Sequence, residues 1–213
     1  MMLTHTTIQL NLTHAEVQRD LNDCQGMHRR IMRLFQHVNA TRDTNEILYR
    51  IDRNGADWQL LIQSTAYADV TSLPAGYARP PIRQHDDVWE RYATIQTGQQ
   101  LPFMVVANIV KRDNVLRAMR TIYDVAEQHV WLARKGIQHG FAVDMTAQAL
   151  VPLTIERDPP VTGVHPNGQL SYDAFRIRGT LTVTDAAQCV QALVTGIGKA
   201  KAYGFGLLSV VGV

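Results

Sequence analysis

Long apolar runs are missing from this chain of 213 residues, and no stretch of 18 apolar residues offers a membrane-spanning helix. Residues 1–12 lack a basic start followed by an apolar core, so the N-terminus does not read as a secretory signal, and the expected compartment is the cytoplasm. Cysteine is scarce. Cys24 and Cys189 lie far apart within apolar patterns, which excludes a disulfide framework and predicts two buried thiols in a reducing compartment. The eight histidines include no HxxxH and none at ligand spacing from a cysteine, so no metal is expected. GxSxG, a defensible Ser-His-Asp order and a DxD or carboxylate cluster for magnesium are absent too, which argues against covalent hydrolysis and two-metal phosphoryl transfer. Charge of one sign is in short supply: the net value is +2, so any nucleic-acid binding must come from local clustering of the 21 Lys and Arg.

What is present is enough apolar residue, 46%, to bury a proper core in one large or two small domains. Residues 6–12 alternate, with Ile8, Leu10 and Leu12 on one face, and read as a half-buried strand. Thr13-His14-Ala15-Glu16 has the form of a capping box, with Thr13 as cap. The helix it opens carries Val17, Leu21, Cys24, Met27, Ile31, Leu34 and Phe35 at a 3.6-residue period, and Asn22, Asp23 and Gly26 mark a weak or kinked middle. His28 falls at the edge of that stripe, and Arg29, Arg30 and Arg33 project away from it. Residues 46–52 and 58–64 flank Asn54-Gly55, a strong hairpin signal. Residues 65–87, with Pro74, Gly76, Pro80 and Pro81, read as loop with at most one helical turn, and 88–95 as a strand.

In the second half, 101–110 reads as a strong strand, followed by a basic connector from Lys111-Arg112 to Arg117 and Arg120. A helix is expected over 122–137, closing at Arg134-Lys135-Gly136 as cations and glycine close helices. Residues 141–153 read as a strand, and 154–173 as a long irregular and therefore functional segment. Phe175, Ile177, Gly179, Leu181 and Val183 then alternate with Arg176, Arg178, Thr180 and Thr182, which predicts a strand with one dry and one basic face. A helix over 185–197 and a final strand over 207–211 complete the chain. Strand, helix, strand, strand, helix, strand is the ferredoxin-like order, and the first half is a degraded version of it. The expected fold is α+β, two tandem ferredoxin-like (RRM-like) βαββαβ domains, 1–98 and 99–213.

The run Gly196-Ile197-Gly198-Lys199-Ala200-Lys201-Ala202-Tyr203-Gly204-Phe205-Gly206 concentrates four glycines and two lysines. It suits either a structural turn or a loop whose N–H groups and lysines meet an anion. It lacks Walker and dinucleotide spacing, and it leads into a strand rather than a helix. In His28-Arg29-Arg30-Ile31-Met32-Arg33, an imidazole that titrates near neutrality stands beside guanidinium groups suited to a phosphodiester. That pattern fits acid–base cleavage of RNA, although a lone histidine near an apolar stripe is more often an ordinary packed residue, here beside a solvated helix face. Arg176 and Arg178 read as cover for an exposed sheet face or as RNA contacts, and Lys111, Arg112, Arg117 and Arg120 as a surface cluster or a phosphate track.

The ending Gly196 to Ser209, GIGKAKAYGFGLLS, resembles the C-terminal glycine-rich motif of the CasE (Cse3) family, the CRISPR repeat-processing endoribonucleases of type I-E Cascade. Ala126-Glu127-Gln128 with Trp131-Leu132, Ala107-Asn108 and the first-helix histidine followed by Leu34-Phe35 support the likeness. The resemblance implies that His28 is the catalytic histidine, with Arg29 and Arg33 at the basic positions near it. It implies metal-independent attack of a ribose 2′-OH on the adjacent phosphate at the base of the repeat hairpin, leaving a 2′,3′-cyclic phosphate, with no cofactor. The implied partners are the CRISPR repeat RNA stem-loop and other Cascade subunits, without DNA contact by the protein alone and without a membrane. Expected RNA contacts are Arg29, Arg33, Lys111, Arg112, Arg157, Arg176, Arg178, Gly198, Lys199 and Lys201. Some relatives carry a tyrosine three residues before the histidine, where this chain has Gln25. The same pieces also fit a non-catalytic RNA-binding subunit of a ribonucleoprotein, although Arg176-Ile177-Arg178-Gly179 lacks the aromatics of an RNP motif. A small-molecule enzyme using the glycine run as its phosphate site is the third reading.

Overall fold

The computed structural model describes residues 1–38, 46–115 and 117–213. Two compact units emerge. The first holds Met1–Arg91, Val161–Tyr172 and Lys201–Gly204; the second holds Tyr92–Pro160, Asp173–Ala200 and Phe205–Val213.

The first unit opens with β1 (Thr4–Leu10), whose residues alternate between buried and half-buried as its sequence does. The long amphipathic segment after it is two helices, α1 (Ala15–Asn22) and α2 (Cys24–Arg33). The expected weak middle is a full break, because Asp23 takes extended backbone angles (φ −135°, ψ 102°) and its carboxylate caps α2. The cap of α1 is His14 rather than Thr13: the His14 Nδ1 accepts from the Glu16 N–H, while the Thr13 hydroxyl donates to Asn11. β2 (Leu48–Asn54) and β3 (Asp57–Ser64) form the expected hairpin, with Asn54 opposite Asp57.

Residues 65–87 hold more than the expected loop, since β4 (Ala78–His85) pairs antiparallel with β1. Its two prolines disguised it. A strand at the edge of the sheet order β2-β3-β1-β4 tolerates missing N–H donors on its open side. Residues 88–95, expected as a strand, instead give the short helix α3 (Val88–Tyr92), which buries Val88 and Tyr92 one turn apart. The order β2-β3-β1-β4 is that of a ferredoxin-like sheet, with a single 3₁₀ turn at Val70–Ser72 where a second helix would stand. Ile8, Leu10, Met27, Ile31, Leu60 and Ile62 are among the buried residues that join helices to sheet.

The second unit has the complete version. β5 (Gln100–Ala107) is followed by a small hairpin, β6 (Val110–Asp113) and β7 (Ala118–Thr121), in the place expected to be a mere connector. α4 (Val125–Gln138) is capped by Asp124 and runs through Gly136 instead of stopping there. Only glycine fits at that point, because a Cβ would lie 2.4 Å from the Phe141 carbonyl oxygen. β8 is just Phe141–Asp144, shorter than expected. The segment expected to be irregular is a long hairpin arm: β9 (Thr154–His165) pairs with β10 (Gly168–Val183). Pro159 and Pro160 are tolerated because β9 lies off the main path of the sheet. α5 (Ala186–Thr195), capped by Asp185, and β11 (Ser209–Val210) close the chain. The order β11-β5-β10-β8 repeats the arrangement of the first unit, so the fold is α+β with tandem ferredoxin-like sheets.

Cys24 and Cys189 are both buried and unbridged, and burial pushes each thiol up to about 11. No described helix is long and apolar enough to cross a membrane.

Candidate functional site

α2 begins where the Asp23 carboxylate accepts hydrogen bonds from the Gln25 N–H at 3.2 Å and the Gly26 N–H at 3.0 Å. Cys24, Met27 and Ile31 form its buried face, so His28 lies beside the stripe and is half-buried. Arg29 and Arg33 are exposed on the same helix, and Arg29 lies 3.4 Å from Asp23. Arg30 does not project away from the stripe with them. Its side chain is only 10% exposed, and it binds Asp20 at 2.8 Å and Glu16 while lying over the Tyr77 ring. The guanidinium groups beside His28 therefore split into one that braces the helix and two that face solvent.

Two further pieces of the same unit reach α2. The Val164 N–H in the β9 arm donates to Asp23 at 3.2 Å, and a Cβ on Gly163 would lie 2.7 Å from both the Asp23 carboxylate and the Cys24 sulfur. That close approach admits only glycine. The 3₁₀ turn Lys201–Tyr203, from the glycine-rich run, brings Tyr203 edge-on to His28, with ring centroids 6.1 Å apart and planes at 73°. The Tyr203 hydroxyl donates to the Gln25 side-chain oxygen at 3.0 Å, and its ring stacks on Tyr172 at 5.3 Å. Sequence reading missed this aromatic row. Its only signal was a tyrosine inside the glycine motif.

Cations expected to touch RNA are spread over both units. In the second, Lys111, Arg112, Arg134, Lys135 and Lys199 line a cavity of about 500 Å³ that also includes Gly198 and Trp131. Lys111 is paired with Glu127, and the Lys135 ammonium lies 5.9 Å from the Trp131 ring centroid. Burial, with Arg134 and Lys199 nearby, holds the Lys135 ammonium below its ordinary value. Such a hollow suits a phosphate, whose charge relieves the repulsion among its cations. Arg134 and Lys135 were expected only to close a helix; they contribute to this hollow. Lys201, in contrast, belongs to the first unit.

β10 shows a dry face as expected, and its basic face is only half open. Arg178 is exposed and 3.3 Å from Glu156, whereas Arg176 is 6% exposed and bound to Asp158 at 2.9 Å. Arg157 binds Asp173 at 2.6 Å and lies over the Tyr123 ring at 5.1 Å. Burial works to raise the Asp173 carboxyl, but hydrogen bonds from Tyr123, Arg157 and Thr121 outweigh it and hold the group below its ordinary value. A lowered folded value means that the stability from this network is fully present above the unfolded aspartate value, near ~3.9, and is lost as pH falls through the folded one. Asp173→Asn should therefore lower Tm by a constant amount from neutrality down to about pH 5, with the difference shrinking below about pH 4. A gap that is still undiminished at about pH 2 would count against the network. Among the described residues, no three His, Cys, Asp or Glu side chains converge into a metal-binding cluster.

A helix-borne histidine with exposed arginines on the same helix in one unit, a basic hollow in the other, and tandem ferredoxin-like sheets beneath them are the features expected of an RNA-directed class of protein. The family model described as CRISPR associated protein matches residues 1–211, and the chain belongs to that family. It is 27% identical over 214 residues to the CRISPR-associated endoribonuclease Cse3 of Thermus thermophilus, covering 96% of this chain and 98% of that one. Its structure matches that of CRISPR endoribonuclease Cse3 bound to a 19-nucleotide RNA, with a TM-score of 0.84, 25% identity and full coverage of both chains. It also matches Thermus thermophilus Cse3 bound to an RNA representing a pre-cleavage complex, at a TM-score of 0.81, 25% identity and full coverage of both. The resemblance to the CasE family read from the sequence is borne out.

Proposed function

We propose that this chain is a metal-independent endoribonuclease that cuts CRISPR precursor RNA at the base of the repeat stem-loop and then stays on the mature CRISPR RNA as it enters Cascade, in the cytoplasm. The observation that carries this reading is the half-buried His28 on α2, with Arg29 and Arg33 exposed on the same helix, in a chain that matches RNA-bound Cse3 over its whole length. The substrate brings its own nucleophile. A ribose 2′-OH attacks the adjacent phosphorus, the P–O5′ bond breaks, and a 2′,3′-cyclic phosphate and a 5′-OH remain. His28 moves a proton in this transfer, as base from the 2′-OH or as acid to the leaving 5′-oxygen, and Arg29 and Arg33 offset charge on the phosphorane.

The remaining cations serve the duplex. A-form RNA is read through phosphates, 2′-OH groups and shape, and Lys111, Arg112, Arg157, Arg178, Lys199 and Lys201 suit that role. Gly198 supplies backbone in the basic hollow, and Arg176, anchored by Asp158, supports the strand that presents Arg178.

The test incubates the full chain with end-labelled RNA of its own repeat in excess EDTA and analyses the ends. Cleavage at one position, with a 2′,3′-cyclic phosphate on the upstream product and continued binding of the hairpin, is the expected result. Tight binding with no cleavage, with or without magnesium, would replace the nuclease reading with that of a non-catalytic RNA-binding subunit.

A further inference from the structure

We propose that Tyr203 is a positioning residue for the His28 imidazole: its ring walls the imidazole, and its hydroxyl, bonded to Gln25, ties the glycine-rich segment to the helix that carries the histidine. This inference rests on the reading of His28 as the acid–base group and names what holds that group still. Residues 25 and 28 are three apart on α2 and share one face of it. Tyr203 meets both, through an edge-on ring contact with His28 at 6.1 Å and a 3.0 Å hydrogen bond to Gln25. Tyr172 stacks on Tyr203 at 5.3 Å with planes 26° apart. The result is a brace in which Tyr172 backs Tyr203 and Tyr203 backs His28.

A half-exposed imidazole has two side-chain torsions, and a proton-transfer group that wanders by an ångström loses much of its rate. An edge-on aromatic wall restricts the ring plane through ring contact rather than through a hydrogen bond. The phenol is suited to a static role. Burial raises its ionisation above the ordinary value, aided by Cys24 and the Asp23 carboxylate, so it stays a neutral donor and the bond to Gln25 persists through the neutral range. The chain supplies this group from 178 positions beyond Gln25.

The experiment uses the full chain in single-turnover cleavage of its own repeat RNA, with binding, Tm and the His28 Hε1 proton resonance measured on the same variants. Tyr203→Leu should slow cleavage by roughly 10²-fold while affinity stays within about threefold. Tyr203→Phe keeps the wall, and should lose only about threefold in rate. Tyr203→Phe, Gln25→Leu and the double variant should show the same loss, because each removes one shared hydrogen bond. In the RNA-free protein, the Hε1 resonance of His28 should show a contact to the Tyr203 ring that Tyr203→Leu removes. A Tyr203→Leu rate within about twofold of the parent, or a rate and affinity that fall in proportion, overturns the proposal. If Tyr203→Leu folds poorly, the Phe/Leu cycle decides, and additive losses there overturn it as well. The resonance contact is read without RNA and without turnover. Its absence sinks the positioning role even if His28 is catalytic, whereas unimpaired cleavage by His28→Ala with the contact present sinks the acid–base reading of His28 on which that role rests.

Discussion

His28→Ala is expected to slow single-turnover cleavage of the repeat RNA by roughly 10²- to 10⁴-fold, with affinity for the hairpin changed by no more than about threefold. The size follows from what the residue supplies. Proton transfer by one positioned side chain is worth that range, while the nucleophile belongs to the RNA and the cationic surface is untouched. The separation of rate from affinity follows from geometry. His28 is half-buried at the margin of an apolar stripe, and the residues that fasten α2 to its sheet are Cys24, Met27 and Ile31, so removing the imidazole leaves the helix seated. Arg29→Ala or Arg33→Ala should instead weaken both rate and binding, increasingly so at low salt, since each carries an exposed charge. If His28→Ala cut within about twofold of the parent rate, the acid–base assignment would be lost, because no proton-transfer role is that small.

The largest expected loss of stability is at Arg30. Its guanidinium lies between Asp20 and Glu16 and over Tyr77, and the Tyr77 hydroxyl also donates to Asp20 at 2.9 Å. The Arg30 and Asp20 side chains are only 10% and 8% exposed. Arg30→Met keeps the apolar stem and removes the charge, leaving Asp20 as a buried carboxylate without its countercharge. Such a change costs about 3 kcal/mol, at the low end for a buried pair because Glu16 is partly solvated. For a chain of this size, that is a fall in Tm of about 6–12 °C. Adding Asp20→Asn should recover part of it, because the stranded charge is gone. A shift below about 2 °C for Arg30→Met would show that water already screens the pair. This residue sits next to Arg29 in the chain, yet its consequence is for folding rather than for RNA.

That contrast marks how far local pattern reaches. The 3.6-residue stripe of the first helical segment predicts which side is buried, and Cys24, Met27 and Ile31 are buried as the stripe requires. It does not separate Arg30 from Arg29 and Arg33, because a buried arginine needs carboxylates that the fold supplies from α1. Prolines misled in two places, at β4 and β9, for one reason. A proline excludes a central strand but not an edge, and edges exist only once the sheet order is known. Residues 88–95 misled because a short apolar-rich stretch fits either period, and burial of Val88 and Tyr92 one turn apart decided for helix. The glycine-rich run was legible as unusual, and its motif carried the family. What it does locally was not, since Gly198 and Lys199 line a basic hollow in one unit while Tyr203 braces a helix in the other.

From the sequence by itself came the α+β class, the tandem ferredoxin-like order, the family and the candidate histidine, because side-chain periods, turn residues and a contiguous motif are properties of neighbours along the chain. Only the tertiary structure decided that β4 exists, that Arg30 and Arg176 are anchored by carboxylates, that Lys111, Arg134, Lys135 and Lys199 share one hollow, and that Tyr203 stands against His28. These depend on which distant backbone segments close into contact, and with 178 positions separating Gln25 from Tyr203, no local preference along the chain encodes that meeting.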